Sequence, residues 1–155
     1  MPAPEVEPAR RLLLDAVERV VRASAGLDVA DVNWRPTADA SSLAALALHV
    51  LGATEQNVMT SLTGTRPTAR NRDDEFAARE ETGDSLAARW DRLRPEVEAA
   101  LDLLTAQELL DERVHHTFGP MSGREMLDRL VTHVFEHAGQ AELTRQLLDA
   151  ERASR

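Results

Sequence analysis

The sequence predicts an all-α protein, a four-helix bundle with a long crossover between helices 2 and 3. Three observations predict it. Apolar residues recur with helical period through four long stretches, and no segment sustains two-residue alternation with β-branched residues. A polar stretch from Gly64 to Gly83 separates the two middle helices and is too long for a simple hairpin turn. At 155 residues the chain is expected to fold as one domain over 1–155. That length can bury roughly 68–70% of the unfolded surface, enough for a core without staples.

The first helix is expected from about Glu5 to Ala25, with Leu12, Leu13, Ala16, Val17, Val20 and Val21 facing inward and Gly26 as its stop. A turn-rich link over 31–37 follows, in which Pro36 disfavours helix at Arg35 and Trp34 is an apolar anchor. Ser41 or Asp39 can cap the second helix, which runs to about Leu62 and ends before Gly64. The crossover is Arg/Asp/Glu-rich, with room for a helical turn near Glu75–Glu81, and it allows the helices on either side to run parallel. Asp84 is the expected cap of a third helix, Ser85 to about Leu104, with Leu86, Trp90, Leu93, Val97, Leu101 and Leu104 inward. Pro95 removes one backbone donor from its interior and predicts a kink. Thr105 and Glu108 have capping-box spacing for a short extra turn. The link over 113–120 leads to a second such pair, Ser122 and Glu125, which opens a last helix reaching about Ala150.

Composition removes several classes of chemistry. There is no cysteine, hence no disulfide, no thiolate metal site and no cysteine nucleophile of the chain's own. All 18 basic residues are arginine, the mark of a GC-rich codon bias, and without lysine neither a Schiff base nor a P-loop is possible. A net charge of −9 and 3% aromatics argue against nucleic acid as a partner. No apolar run approaches the roughly 20 residues that cross a bilayer. The acidic N-terminal residues do not resemble a signal peptide, so no membrane partner and a cytoplasmic location are expected.

Histidine carries the remaining chemistry. His133 and His137 stand four residues apart in the last helix and therefore share one face, the spacing that presents two nitrogen ligands to one metal ion. They border the apolar stripe of Met126, Leu130, Val134, Ala138 and Ala141, so their rings should point inward. His49 lies in the most apolar segment, where a hydrogen-bonded core histidine is the ordinary outcome. Facing the other two, it would complete a three-nitrogen site with an open position. His115 and His116 fall in a link, either solvated or roofing that site. The run His133 to His137 also fits the H-x-x-E-H pattern of inverted zinc proteases. Those are far larger proteins with a distant third ligand, and Glu136 falls on the outer side, so that reading is set aside. Gly139 reads as a close-packing point between helices.

Three stretches carry a family resemblance: Gly26-Leu-Asp, then Val32-Asn-Trp34-Arg-Pro36 leading to Leu48-His49; the Arg/Asp-rich crossover; and His133-x-x-x-His137-Ala-Gly-Gln140-Ala-Glu-Leu-Thr-Arg145. On these the chain resembles the DinB/YfiT-like superfamily of metal-binding four-helix bundles, from about residue 10 to 150. The resemblance implies a divalent metal, zinc or nickel, held by His49, His133 and His137, with homodimers common. It also implies thiol S-transferase or maleylpyruvate isomerase relatives that use mycothiol, bacillithiol or glutathione. The partners would then be a small-molecule thiol and an electrophile. Arg145 is the candidate substrate-binding residue, its alternative being an ion pair with Glu142 or Asp149. No catalytic residue is assigned. Three readings stay open: a metal-dependent thiol S-transferase, a metal- or ligand-binding bundle without turnover in stress or detoxification, and a dimerisation domain whose histidines are core residues.

Overall fold

The computed structural model describes residues 2–67 and 70–155. It is mostly helical, and four long helices build the bundle: α1 (Val6–Arg22), α3 (Leu43–Glu55), α5 (Gly83–Leu101) and α7 (Gly123–Ala153). Short helices α2 (Val29–Val32), α4 (Arg72–Ala77) and α6 (Ala106–Leu110) lie in the links, and α3 runs on through a π-helical segment, Gln56–Leu62. Cross-helix contacts fix the directions. Glu5 meets Arg124 and Arg19 meets Glu142, a nearly constant offset, so α1 and α7 run parallel. Arg10 meets Asp102 while Glu18 meets Trp90, so α1 and α5 run antiparallel. Arg66 ties Glu55, at the end of α3, to Glu96 in the second half of α5. Those two helices therefore run in the same direction, as a crossover requires.

Helix α3 is the interior element. Leu43 through Ala47 are buried without interruption, and so are Val50, Leu51 and Ala53. A helix apolar all round must be surrounded by protein, and α1, α4, α5 and α7 all pack on it. Its alanines let those neighbours approach. On α1 the buried stripe is Leu13, Leu14, Ala16, Val17, Val20 and Val21, with Leu12 exposed. In a run of three leucines the wheel alone does not choose the inner two, and packing against α7 does. Trp90 of α5 is fully buried, its indole N–H donating to Glu18 at 2.8 Å. Leu93 is only half-buried.

Several caps differ from expectation by a residue or two. Ser42, not Ser41 or Asp39, accepts from the Ala45 N–H, and Asp28 caps an unforeseen single-turn helix, α2. Thr82 and Ser85 form the capping box of α5, displacing Asp84 into the first turn, and the helix passes unbroken through exposed Pro95. Thr105 and Glu108 do form the anticipated capping box. Ser122 caps α7, but Glu125 turns away to Arg129 and does not return the bond. In the crossover, Asn71 caps α4 over Arg72–Ala77, three residues earlier than the expected turn. Residues 68 and 69 of that segment lie outside the described residues.

The link over 113–120 is a two-stranded antiparallel hairpin, β1 (Glu112–His115) and β2 (Gly119–Ser122), the one departure from an all-α chain among the described residues. His116, Thr117 and Phe118 form its three-residue tip. Gly119 follows at φ +77°, the left-handed position such hairpins place after their turn.

Two glycines have opposite environments. A Cβ on Gly83 would sit 2.0 Å from the Ser24 carbonyl oxygen, where the start of α5 meets the end of α1. A Cβ on Gly139 would meet nothing, so Gly139 is not the helix-packing point its neighbours suggested. Gly83→Ala is expected to destabilise by about 1–3 kcal/mol through overpacking. Gly139→Ala should stabilise by about 0.5–1 kcal/mol, because alanine has less backbone freedom to lose in a helix. Urea denaturation of the two variants measures both.

Candidate metal centre

His49 lies on the α7-facing side of α3, and His133 and His137 lie one turn apart on α7. The three ring centroids are 4.5–5.1 Å apart. One nitrogen from each converges with the others, all within 4.8 Å. His49 Nε2 and His133 Nε2 are 3.0 Å apart. Four-coordinate metals bind imidazole at about 2.0–2.1 Å, which separates two ligand nitrogens by roughly 3.3 Å. The set therefore needs only side-chain adjustment to hold one ion. His49 is buried, while His133 and His137 are half-buried.

The outer nitrogens have partners too. His137 Nδ1–H donates to Gln140 Oε1 at 2.8 Å, which leaves Nε2 as the ligand atom. His49 Nδ1 lies 3.0 Å from Arg70 and 3.4 Å from Glu75 Oε2. With its proton on Nδ1 the ring donates to Glu75 and frees Nε2 for a metal. With its proton on Nε2 it donates to His133 and accepts from Arg70. Metal-binding imidazoles commonly direct their second nitrogen to a carboxylate or amide in this way.

Arg70 and Glu75 come from the crossover, joined through Nε at 2.6 Å and Nη2 at 2.9 Å, and both are largely buried. Gly52 makes room for them, since a Cβ there would lie 2.2 Å from Glu75 Oε1. Burial raises the Glu75 carboxyl, but hydrogen bonds from His49 and Arg70 outweigh it and hold the group below the usual carboxylate range.

The two imidazoles of α7 are held toward the neutral form. Burial, then the neighbouring His137 and His49, lower His133 to about 4. Burial also lowers His137, against a raising bond to Gln140. Neutral imidazole is the form that binds metal.

The hairpin reaches the same place. A cavity of about 340 Å³ adjoins the cluster, lined by His49 and His133 and, from the hairpin, by His115, His116 and Phe118. His115 is buried, and its Nδ1 accepts the backbone N–H groups of Thr117 and Phe118. His116 stacks on it at the rim, centroids 4.3 Å apart. A larger groove of about 580 Å³ lies across the Arg70–Glu75 pair and contains none of the histidines.

Arg145 is far along α7. It pairs with Asp149 at 3.0 Å and donates to the Ala23 and Ala25 carbonyls, where it ties the end of α1 to α7. Sequence reasoning gave no role in the site to Arg70, Glu75, Arg72 and Arg129, nor to Gln140, which it quoted only as part of the final-helix motif. Gln140 alone had a visible signal, its spacing of three residues from His137 on one helix face.

A helical bundle with three convergent imidazoles on two facing helices defines a class of candidate metal-binding proteins. The chain belongs to the DinB superfamily, whose sequence model matches residues 9–141. No curated protein matches it significantly. Among solved structures, it is similar to the crystal structure of a conserved protein from Enterococcus faecalis, with 16% identity and a TM-score of 0.73. That match covers 93% of this chain and 96% of the other, and it speaks to the fold alone. No helix among the described residues is long and apolar enough to cross a membrane.

His133 gives the centre a pH signature. Its folded value of about 4 lies below the ordinary 6.5, so the unfolded chain binds more protons between those limits. The stability it contributes is complete above about pH 6.5 and is lost as the pH falls toward about 4. Urea midpoints of the metal-free protein should fall between about pH 7 and pH 4.5, and a His133→Asn variant should show a shallower fall. Equal slopes would remove His133 as the source.

Proposed function

We propose that the chain is a divalent-metal-dependent transferase of the DinB superfamily that joins a low-molecular-weight thiol, of mycothiol type, to small electrophiles. The observation that carries the reading is the convergence of His49, His133 and His137, backed by Glu75 and Gln140, beside a cavity open to small molecules. These three residues would hold zinc or nickel, which imidazole suits equally. When bound, such an ion lowers the pKa of a thiol or water and keeps its anion reactive at neutral pH. The chain has no cysteine, so a thiol must enter as a co-substrate. His116, at the cavity rim and lowered by burial and by His115, is available in its neutral form to accept the thiol proton. Glu75 and Gln140 orient the ligand rings. We further propose a cytoplasmic homodimer, on the strength of the resemblance and the absence of a membrane-spanning helix among the described residues.

Elemental analysis of protein purified without a histidine tag should find about one zinc or nickel per chain, lost in His49→Ala. Glu75→Gln should retain the fold and weaken zinc about 10–100-fold, as loss of an outer-shell partner does. Metal-loaded protein should then accelerate thiol consumption by a model electrophile. Metal binding without thiol consumption would leave a binding bundle, and no metal uptake would leave the histidines as core residues.

A further inference from the structure

The two depressions on either side of the Arg70–Glu75 pair differ in charge. The larger groove balances four arginines against four carboxylates: Glu55, Asp74, Glu75 and Glu96. The cavity beside the histidines is lined by three arginines, Arg70, Arg72 and Arg129, and by no carboxylate. This occurs on a chain of net charge −9, where an unbalanced positive cavity is not what composition would give by default.

The three guanidiniums are not equivalent. Arg70 is consumed by Glu75, Gln56 and His49. Arg129 gives only its Nε–H to Glu125, at 3.0 Å, and its terminal nitrogens have no protein acceptor among the described residues. Arg72 makes no ion pair or hydrogen bond among the described residues. Each of these two rests on an aromatic face, Arg72 over Phe76 at 5.6 Å and Arg129 over Phe118 at 5.0 Å. Stacking of this kind restrains a guanidinium plane while leaving its N–H edge available.

We propose that this cavity selects a small organic anion, with Arg72 and Arg129 binding its carboxylate or phosphate head and its body lying toward His49 and His133. As a substrate assignment this rests on the transferase reading above; as a binding site it does not. The volume sits at the lower end of the range for ligand pockets, which limits the occupant to a small molecule. Phe118, Ala53 and Leu130 supply apolar wall for its body. Carboxylate and phosphate meet the same guanidinium edge, in one- or two-point hydrogen bonds.

The test uses the metal-free full chain, so that coordination to an ion cannot mimic anion binding. Benzoate, phenyl phosphate and the neutral benzyl alcohol are titrated while amide shifts of the hairpin tip are followed by NMR. At least one of the two anions should bind at least about tenfold more tightly than benzyl alcohol, and the tighter of the two identifies the head group. Arg72→Met and Arg129→Met should each weaken the anion about tenfold, while Arg92→Met, in the other groove, should not. The urea midpoint and the amide spectrum of each variant away from the hairpin, recorded without anion or metal, serve as the fold check. Anions and benzyl alcohol binding alike, no binding by any probe, or anion affinity unchanged in both arginine variants would each overturn the proposal. A failure of the metal reading would appear separately, as absent zinc uptake by the unsubstituted chain.

Discussion

The rest of the site depends on how a polar crossover is seated against the most apolar helix of the chain. Helix α3 is enclosed by four neighbours, and His49 is its buried basic group. A buried imidazole needs partners at both nitrogens or it costs the free energy of an unmet hydrogen bond. One side is served by α7 through His133. The other is served by Arg70 and Glu75, themselves a charged pair taken largely out of water. Pairs of this kind recover their desolvation cost only when their remaining hydrogen-bonding groups are also met. Here they are: Arg70 reaches Glu75 twice, Gln56 once and both the ring and the carbonyl of His49. The missing side chain of Gly52 is what lets this pair approach the helix. Anything that displaced the crossover would strip His49 of its outer partners at the same time.

The same contact sets the protonation of the centre. Proton position on His49 is decided by competition between the Glu75 carboxylate and the Arg70 guanidinium for Nδ1, at 3.4 and 3.0 Å. A metal at Nε2 favours the first partner, and the bond to His133 favours the second. Thus the ligand set is satisfied internally when metal-free, through the imidazole–imidazole bond, and outwardly when metal is bound. In the metal-free protein burial lowers His133 and His137, so protons compete weakly for those two ligand nitrogens at neutral pH.

Periodicity revealed the four long helices because each buries a continuous stripe, and helical spacing put His133 and His137 on one face, whereas His49 stands out by its apolar segment and by the family resemblance. What it missed has physical reasons. Ser41 and Ser42 are equally good caps in isolation, and Thr82 competes with Asp84, so the packed backbone chooses between neighbours. The hairpin has four-residue strands with Gly and Pro in β2, too short and too irregular to show alternation. Its contribution of His115, His116 and Phe118 to the cavity is a tertiary fact. Arg70, Arg72, Glu75 and Arg129 are ordinary polar residues in sequence, distinguishable from the other charged side chains only by what they face. Arg145 shows the converse: placed by its motif beside the histidine pair, it spends its donors on Asp149 and on the carbonyls that end α1.

Charge distribution connects these observations. An acidic chain repels anions at long range, and that repulsion is screened within roughly 8–10 Å at physiological salt. Inside that distance the local count decides. Around the larger groove arginine and carboxylate cancel, whereas among the described residues no carboxylate lines the histidine cavity: Glu75 is committed to Arg70 and His49, and Glu125 to the Nε–H of Arg129. The charged groups that line the cavity are guanidiniums, which do not deprotonate, and those of Arg72 and Arg129 keep N–H donors free of protein acceptors among the described residues. Such a field works in two directions. It adds to burial in opposing protonation of His133 and His137, and it favours a negatively charged guest beside them. Burial does most to hold His133 and His137 toward the neutral, metal-binding form, and the arginines that would favour an anionic guest add to that effect.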